Sequence, residues 1–138
     1  PIYCSGMGPK SLARAAKWAD GVSGFALTGD AAEADRSFRA AEKAWSDAGR
    51  SDRPRLISGV FVALGEQAEE TLKDFAVAYL SVFGTDVARM LADAMTVHSE
   101  DRLRAVVAAM ADAGCDELIL VPASSDPDLL ARLTDAVC

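Results

Sequence analysis

The stretch of sequence that decides the fold is IYCSGMGPK, residues 2–10. Its apolar start predicts a short strand over residues 2–5, and a glycine-rich turn follows directly. Pro9 suits the first position of a helix, because the backbone N–H that proline lacks would have no partner there. The stretch therefore predicts a strand, a tight turn and a helix in close succession.

The same turn is the candidate ligand site of the chain. Glycines at positions 6 and 8 let backbone N–H groups approach an anion closely, because no Cβ stands in the way. The following helix adds the positive end of its dipole, and Lys10 can add a point charge. A phosphate-binding turn and a tight connection without a ligand fit this pattern about equally well.

Strands and helices alternate along the rest of the chain. Apolar runs predict further strands over residues 22–27, 56–64 and 118–121, and helical patterns follow each of them. The third strand is apolar on both faces, which is typical of a buried strand. This alternation predicts an α/β fold of four consecutive βα units with a parallel sheet.

Two of the predicted helices carry clear apolar stripes. In the helix over residues 32–48, apolar side chains recur at helical spacing, namely Ala34, Phe38, Ala41, Trp45 and Ala48. The last helix begins at Asp126-Pro127, and its predicted core residues are Leu130, Leu133 and Val137. Each stripe is expected to pack against the sheet.

Composition limits the classes of function. The chain has 138 residues, a net charge of -7 and no cluster of lysines or arginines, so we expect no nucleic-acid partner. No apolar run is long enough to cross a membrane. The three cysteines, Cys4, Cys115 and Cys138, have neither disulfide-framework nor zinc-site spacing, which favours a cytoplasmic protein without a metal. The chain begins without methionine, inside a predicted strand, so we expect it to be part of a longer protein.

A dinucleotide-binding fold is the alternative interpretation of the glycine-rich turn. That fingerprint requires a third glycine, where this chain has Ser11, and an acidic residue after the second strand, which Asp30 provides only loosely. Such a fold would place its strands out of sequence order, whereas a barrel would pair them in order. His98 is the only histidine and lies in a polar loop, so we expect no catalytic role for it.

Three segments of the chain together resemble the luciferase-like monooxygenase family. Residues 1–21, PIYCSGMGPKSLARAAKWADG, resemble the family's strand, glycine-rich turn, alanine-rich helix and Ala-Asp-Gly entry to the next strand. Residues 48–50, AGR, end the following helix as in the family. Residues 113–122, AGCDELILVP, resemble a strand near the family's C-terminus. The resemblance covers nearly the whole chain, in the right order.

The resemblance implies a fold and a reaction. Family members are (β/α)8 barrels of about twice this length, so residues 1–138 would form the C-terminal half-barrel as a single unit. Members are oxidoreductases that use reduced FMN, or the related deazaflavin cofactor, and oxygen to oxidise a small organic substrate. By this resemblance the flavin phosphate would contact Ser5, Gly6, Met7 and Gly8, with Thr28 at the neighbouring strand end. Many relatives have two adjacent glycines where this chain has Ser5-Gly6. No catalytic residue can be assigned.

A half-barrel implies partners as well as a cofactor. Its outer strands would have unpaired edges, so we expect either the missing N-terminal half or a second copy of the chain to cover them. The flavin and a small organic substrate would be the other ligands. A non-catalytic barrel half that serves assembly remains the alternative from a different functional class.

Overall fold

The computed structural model describes residues 1–5 and 8–138. A short 3-10 turn at Ser81–Phe83 separates two of the helices. In chain order, the strands and helices are β1 (Tyr3–Cys4), α1 (Pro9–Ala15), β2 (Gly21–Ser23), α2 (Ala31–Asp47), β3 (Arg55–Val62), α3 (Ala68–Leu80), α4 (Thr85–Asp93), α5 (Glu100–Asp112), β4 (Glu117–Pro122) and α6 (Pro127–Val137).

The four strands form one sheet in the order β1-β2-β3-β4. The pairs β1–β2 and β2–β3 are parallel, with Tyr3 opposite Gly21 and Val22 opposite Leu56. Neighbours in the sheet are thus neighbours in sequence, as predicted for successive βα units of a barrel. The order contains no reversal, so it contradicts the doubly wound arrangement of a dinucleotide-binding fold.

By its internal contacts the chain divides into two compact units. The first unit comprises residues 1–26, 30–59 and 109–119, and the second comprises residues 27–29, 60–108 and 120–138. Strands β3 and β4 and helix α5 each contribute residues to both. The two units are described separately below.

The core of the first unit is formed by α1, α2 and the strands. Four of the five predicted stripe residues of α2 are buried, namely Ala34, Phe38, Ala41 and Trp45. Ala48 is exposed because the helix ends at Asp47 and Ala48 is its C-cap. The stripe prediction is therefore confirmed for the body of the helix.

Strand β3 is the most deeply buried strand. Every residue from Leu56 to Val62 is buried, as its two-sided apolar pattern predicted. Within the first unit, the pairing of β2 with β3 continues beyond Ser23, because the N–H groups of Gly24 and Ala26 donate to the carbonyls of Ile57 and Gly59. The predicted extent of the second strand is therefore nearly right.

The second unit packs α3 to α6 around its own apolar core. The predicted break after α3 is confirmed, since α3 ends at Leu80 and α4 begins at Thr85. Ser99 precedes α5 and caps it as predicted, because its Oγ accepts a hydrogen bond from the backbone N–H of Arg102 at 3.3 Å. Phe61, Phe75 and Tyr79 form an aromatic cluster with ring centroids 5.2 to 5.7 Å apart.

The buried face of α6 differs from the prediction. Leu133 is buried as expected, but Leu130 and Val137 are 57% and 41% exposed. The buried residues are instead Leu129, Leu133 and Ala136, whose spacing of four and three places them on one side of the helix. The spacing of apolar residues in α6 fits either set of three. In the structure the set that ends in the small residue Ala136 packs against the core.

No helix in the described part of the chain is long and apolar enough to span a membrane.

Candidate functional site

The predicted ligand-binding turn joins β1 to α1. Ser5 is exposed after the strand, and Gly8 is the N-cap of α1 with extended backbone angles, φ -101 and ψ 155. Its carbonyl accepts the N–H groups of Ser11 and Leu12, both at 3.0 Å. Pro9 occupies the first helical position, as predicted. Gly6 and Met7, the two other predicted contacts, lie outside the described residues.

Gly8 is a glycine that the fold itself does not require. Its φ is negative, so other residues could adopt this backbone conformation. A Cβ built on Gly8 would meet no atom within 4 Å. The space beside its backbone is therefore open, which is what close approach of a ligand to the main chain requires. The open space leaves room for the predicted phosphate contact at Gly8, which stays a prediction.

Thr28, the remaining predicted contact, lies in a loop that the second unit holds firmly. Its carbonyl accepts a hydrogen bond from the Oγ1 of Thr96 at 2.9 Å. Arg102 donates to that same Oγ1 at 3.1 Å and to the carbonyl of Gly29 at 3.2 Å. Gly29 has a φ of +72, and a Cβ there would lie 2.6 Å from Val97. Sequence reasoning missed Thr96 and Arg102, because their partners are backbone carbonyls distant in sequence.

Asp30 has a local structural role. Its carboxylate accepts a hydrogen bond from the N–H of Ala32 at 2.9 Å, which caps α2. This contact explains the acidic residue after the second strand without a ribose ligand. Together with the strand order, it removes the basis for the dinucleotide-binding interpretation.

The segments that carry the family resemblance form structural contacts at the amino ends of the strands. The N–H of Ile2 donates to the Asp20 carboxylate, and the carbonyl of Asp20 accepts from the N–H of Arg55 at 3.1 Å. Arg50 donates to the carbonyl of Ala19 at 2.6 Å, and its guanidinium lies 5.2 Å from the Trp45 ring centroid. These contacts join neighbouring βα units, so these segments specify the fold more than the chemistry.

In the third segment, residues 113–122, Asp116 forms structural contacts. Burial opposes ionisation of its carboxyl, but hydrogen bonds from Arg53 and the N–H of Leu56, with the nearby arginine charges, outweigh burial and lower its pKa. The Asp116 N–H also donates to the carbonyl of Leu56 at 2.8 Å. The residue thus anchors the start of β4 to β3.

Other chemically interesting residues do not form a site. Cys115 is half-buried, and burial raises the pKa of its thiol, so it is poorly suited to act as a nucleophile. His98 is half-buried, and its backbone N–H donates to the carbonyl of Thr96. Within residues 1–5 and 8–138, no group of histidine, cysteine, aspartate and glutamate side chains could hold a metal ion.

A protein-family model matches nearly the whole chain. A model described as luciferase-like monooxygenase matches residues 1–132. No curated protein sequence matches the chain.

Solved structures agree in fold. An F420-dependent secondary alcohol dehydrogenase, in complex with an F420-acetone adduct, superposes on all of this chain and on 49% of its own, with a TM-score of 0.72 and 18% identity. The coenzyme F420 dependent tetrahydromethanopterin reductase from Methanopyrus kandleri matches 96% of this chain and 48% of its own, with a TM-score of 0.59 and 15% identity.

A third solved structure is named as a monooxygenase. Monooxygenase RslO1 from Streptomyces bottropensis matches 96% of this chain and 44% of its own, with a TM-score of 0.56 and 18% identity. The chain therefore spans about half the length of each of these proteins. Its four consecutive βα units have the fold of half of a (β/α)8 barrel, as the sequence predicted.

Proposed function

Because the chain belongs to the luciferase-like monooxygenase family, we propose that it forms half of the barrel of a flavin- or deazaflavin-dependent oxidoreductase. The observation that carries this proposal is the open space beside Gly8, at a turn where the fold does not itself demand glycine. Barrel enzymes place their active sites at the carboxyl ends of the strands, where this turn lies.

In this proposal the chain's part is to bind and orient the cofactor phosphate. Ser5 offers an exposed hydroxyl, and Gly8 leaves its backbone accessible. Gly6 and Met7 complete the proposed contacts in sequence. An acidic protein can hold a phosphate in this way, because backbone N–H groups provide partial positive charge independently of the net charge of -7.

Thr28 is proposed as a further contact of the cofactor. Its carbonyl and that of Gly29 accept hydrogen bonds from Thr96 and Arg102, which fix the backbone of the loop.

The cofactor is proposed to be a deazaflavin of the F420 type, with FMN as the alternative. Two of the three solved structures described above are F420-dependent by name, which favours the deazaflavin, and FMN stays the alternative that the sequence resemblance implies. A deazaflavin supplies or accepts a hydride, whereas a reduced flavin supplies the electrons with which oxygen oxidises an organic substrate.

Completion of the barrel is part of the proposal. Strands β1 and β4 are the outer strands of the sheet, and no residue of the apolar strand β4 is fully buried. We propose that the other half of a barrel, or a second copy of this chain, covers them.

The cysteines Cys4, Cys115 and Cys138 are all free, which fits a cytoplasmic location.

Cofactor titration of the intact protein tests the proposal. We expect F420 or FMN to bind at micromolar concentrations, observed as quenching of cofactor fluorescence. If the protein is folded by circular dichroism and binds neither, the enzyme hypothesis is wrong and the assembly module is favoured instead. A protein that binds FMN and not F420 would reverse the preferred cofactor and keep the enzyme hypothesis.

A further inference from the structure

The second unit contains a polar cleft that the proposed cofactor site does not use. It lies where β3 and β4 end, between the turn that enters α3 and the first turns of α6, and has a volume of about 420 Å³. Its polar lining includes Gly65, Thr71, Ser124 and Arg132. The carboxyl ends of barrel strands are where substrates bind in this architecture.

Arg132 is an exposed cation of this cleft that has no partner among the described residues. Among the described residues its guanidinium forms no ion pair and no hydrogen bond, whereas Arg104, which belongs to the same unit, pairs with Glu100 and Asp101. Arg132 reaches from α6 over the turn after β3, where its Nη1 would lie 3.0 Å from a Cβ on Gly65. Gly65 also has a φ of +122, a conformation that side chains disfavour. A side chain at position 65 would therefore strain the backbone and shift the guanidinium by a few tenths of an ångström.

Hydroxyl groups add donors beside Arg132. The Oγ of Ser124 accepts the N–H of Asp126 at 3.1 Å, so its own O–H remains free to donate. Thr71 offers a second, half-buried hydroxyl. A guanidinium with adjacent hydroxyl donors is a typical set of contacts for a carboxylate or phosphate.

Two carboxylates also line the cleft, and neither neutralises Arg132. Asp126 is occupied as the N-cap of α6, where it accepts the N–H of Asp128 at 3.0 Å. The α6 N-terminus stabilises that negative charge. Glu66 is exposed, so solvent screens its charge. An oxyanion can therefore approach the guanidinium fork.

We infer that this cleft is an oxyanion subsite for the substrate, in which Arg132 and Ser124 bind a carboxylate or phosphate group. The inference rests on the proposed function, because that function assigns the cofactor phosphate to the turn at Ser5 and Gly8. It narrows the substrate class to small organic molecules that carry an acidic group.

Binding of inorganic phosphate and of acetate to the intact protein tests the subsite, with protein NMR shifts as the readout. We expect Arg132→Gln to weaken the binding of both probes about tenfold or more, because a charge-assisted hydrogen bond is lost. Arg89→Gln is the matched control, since Arg89 is an exposed arginine on α4 of the same unit, outside the cleft. Equal binding by wild type and Arg132→Gln would overturn the inference.

Gly65→Ala provides a second variant that keeps the charge of Arg132. Its Cβ would shift the guanidinium by a few tenths of an ångström and strain the loop at a positive φ, so we expect weaker binding of both probes with Arg132 still present. If Gly65→Ala fails to fold, Ser124→Ala replaces it, with a smaller loss expected in the same direction. Binding of the probes by both variants at wild-type affinity would contradict the proposed geometry.

Cofactor competition separates this inference from the proposed function. We expect F420 or FMN to bind without displacing phosphate from the cleft. Displacement would assign the cleft to the cofactor and overturn its assignment to the substrate. A protein that binds phosphate through Arg132 but binds no cofactor would refute the proposed function while leaving an anion site in the cleft.

Discussion

Arg53 holds Asp116 through two hydrogen bonds, from its Nη1 to both carboxylate oxygens, at 2.9 and 3.0 Å. The same arginine donates from Nη2 to the carbonyl of Gly114 at 2.7 Å, and Asp116 also accepts the N–H of Leu56 at 2.7 Å. The start of β4 is thereby joined to the start of β3 by side chains as well as by the strand ladder. The arrangement makes Asp116 a sensitive point for stability.

Asp116→Asn is expected to lower the free energy of unfolding by about 1–2 kcal/mol, because hydrogen bonds to a charged group are lost. The side chain is 31% exposed, and solvent screening keeps the loss in this range. Chemical denaturation measures the change. Asp101→Asn is the control, since that side chain is 99% exposed, and should change stability by less than about 0.5 kcal/mol. Equal effects would argue against the anchor.

The stabilisation by Asp116 should depend on pH. Its pKa in the folded protein lies below the ordinary value of 3.8, so its contribution is complete above that value and is lost as pH falls through the lower pKa. The stability difference between wild type and Asp116→Asn should be constant above about pH 5 and shrink below about pH 4. Denaturation curves over this range measure it. A difference that grows on acidification would contradict the assignment.

Gly59→Ala should destabilise the first unit because its Cβ would lie 2.5 Å from a ring carbon of Phe25. We expect a loss of about 1–3 kcal/mol from overpacking. The loss should be smaller in a Phe25→Leu background, and a double-mutant cycle measures this coupling. Gly24→Ala is the matched control, because its Cβ would meet nothing closer than 3.9 Å. Additive effects of the two substitutions would show that the ring is not the obstacle.

Gly8→Val tests the proposed phosphate contact without disturbing the core. The new side chain enters open space, so stability should fall by no more than about 1 kcal/mol, from the poorer helix cap. Cofactor affinity should fall about tenfold or more, because the side chain blocks approach to the backbone. Fluorescence titration measures affinity and thermal unfolding measures stability. Unchanged affinity would place the cofactor phosphate elsewhere.

Association of the 138-residue chain should depend on β4. Ile119 is 44% exposed on an outer strand, so Ile119→Lys should shift an associating chain toward monomer with little effect on stability. Light scattering across a concentration series measures the molar mass. Leu130→Lys is the control, since Leu130 is 57% exposed on α6 and should leave association unchanged. A wild-type chain that stays monomeric at all concentrations would contradict the prediction.

Local sequence signals were sufficient for most of the secondary structure. The stripe from Ala34 to Trp45, the two-sided apolar run of β3 and the cap at Ser99 each act within a few residues, so they were predicted correctly. The face of α6 was predicted wrongly, because Leu130 and Leu129 are equivalent in local pattern. Only the neighbours of the helix decide which leucine is buried.

The candidate site was less accessible to sequence reasoning. The turn at Ser5 to Gly8 could be proposed from its glycines. The structure adds that a side chain at position 8 would meet no neighbouring atom, so packing does not require glycine there. Thr96, Arg102 and Arg132 carried no recognisable motif. Their significance depends on carbonyls, glycines and hydroxyls that lie far away in sequence.

By itself, then, the sequence determined the α/β class, the succession of βα units and the family, because hydrophobic periodicity and short turn motifs are local properties of the chain. Tertiary structure excluded the alternative strand order of a dinucleotide-binding fold, and it alone showed that Asp20, Arg50 and Asp116 are structural anchors. It also showed that Arg132, beside Gly65 in a polar cleft, has no partner among the described residues. The physical reason is that an arginine or aspartate has the same local pattern whether its charge is satisfied or available, and only its spatial neighbours distinguish the two.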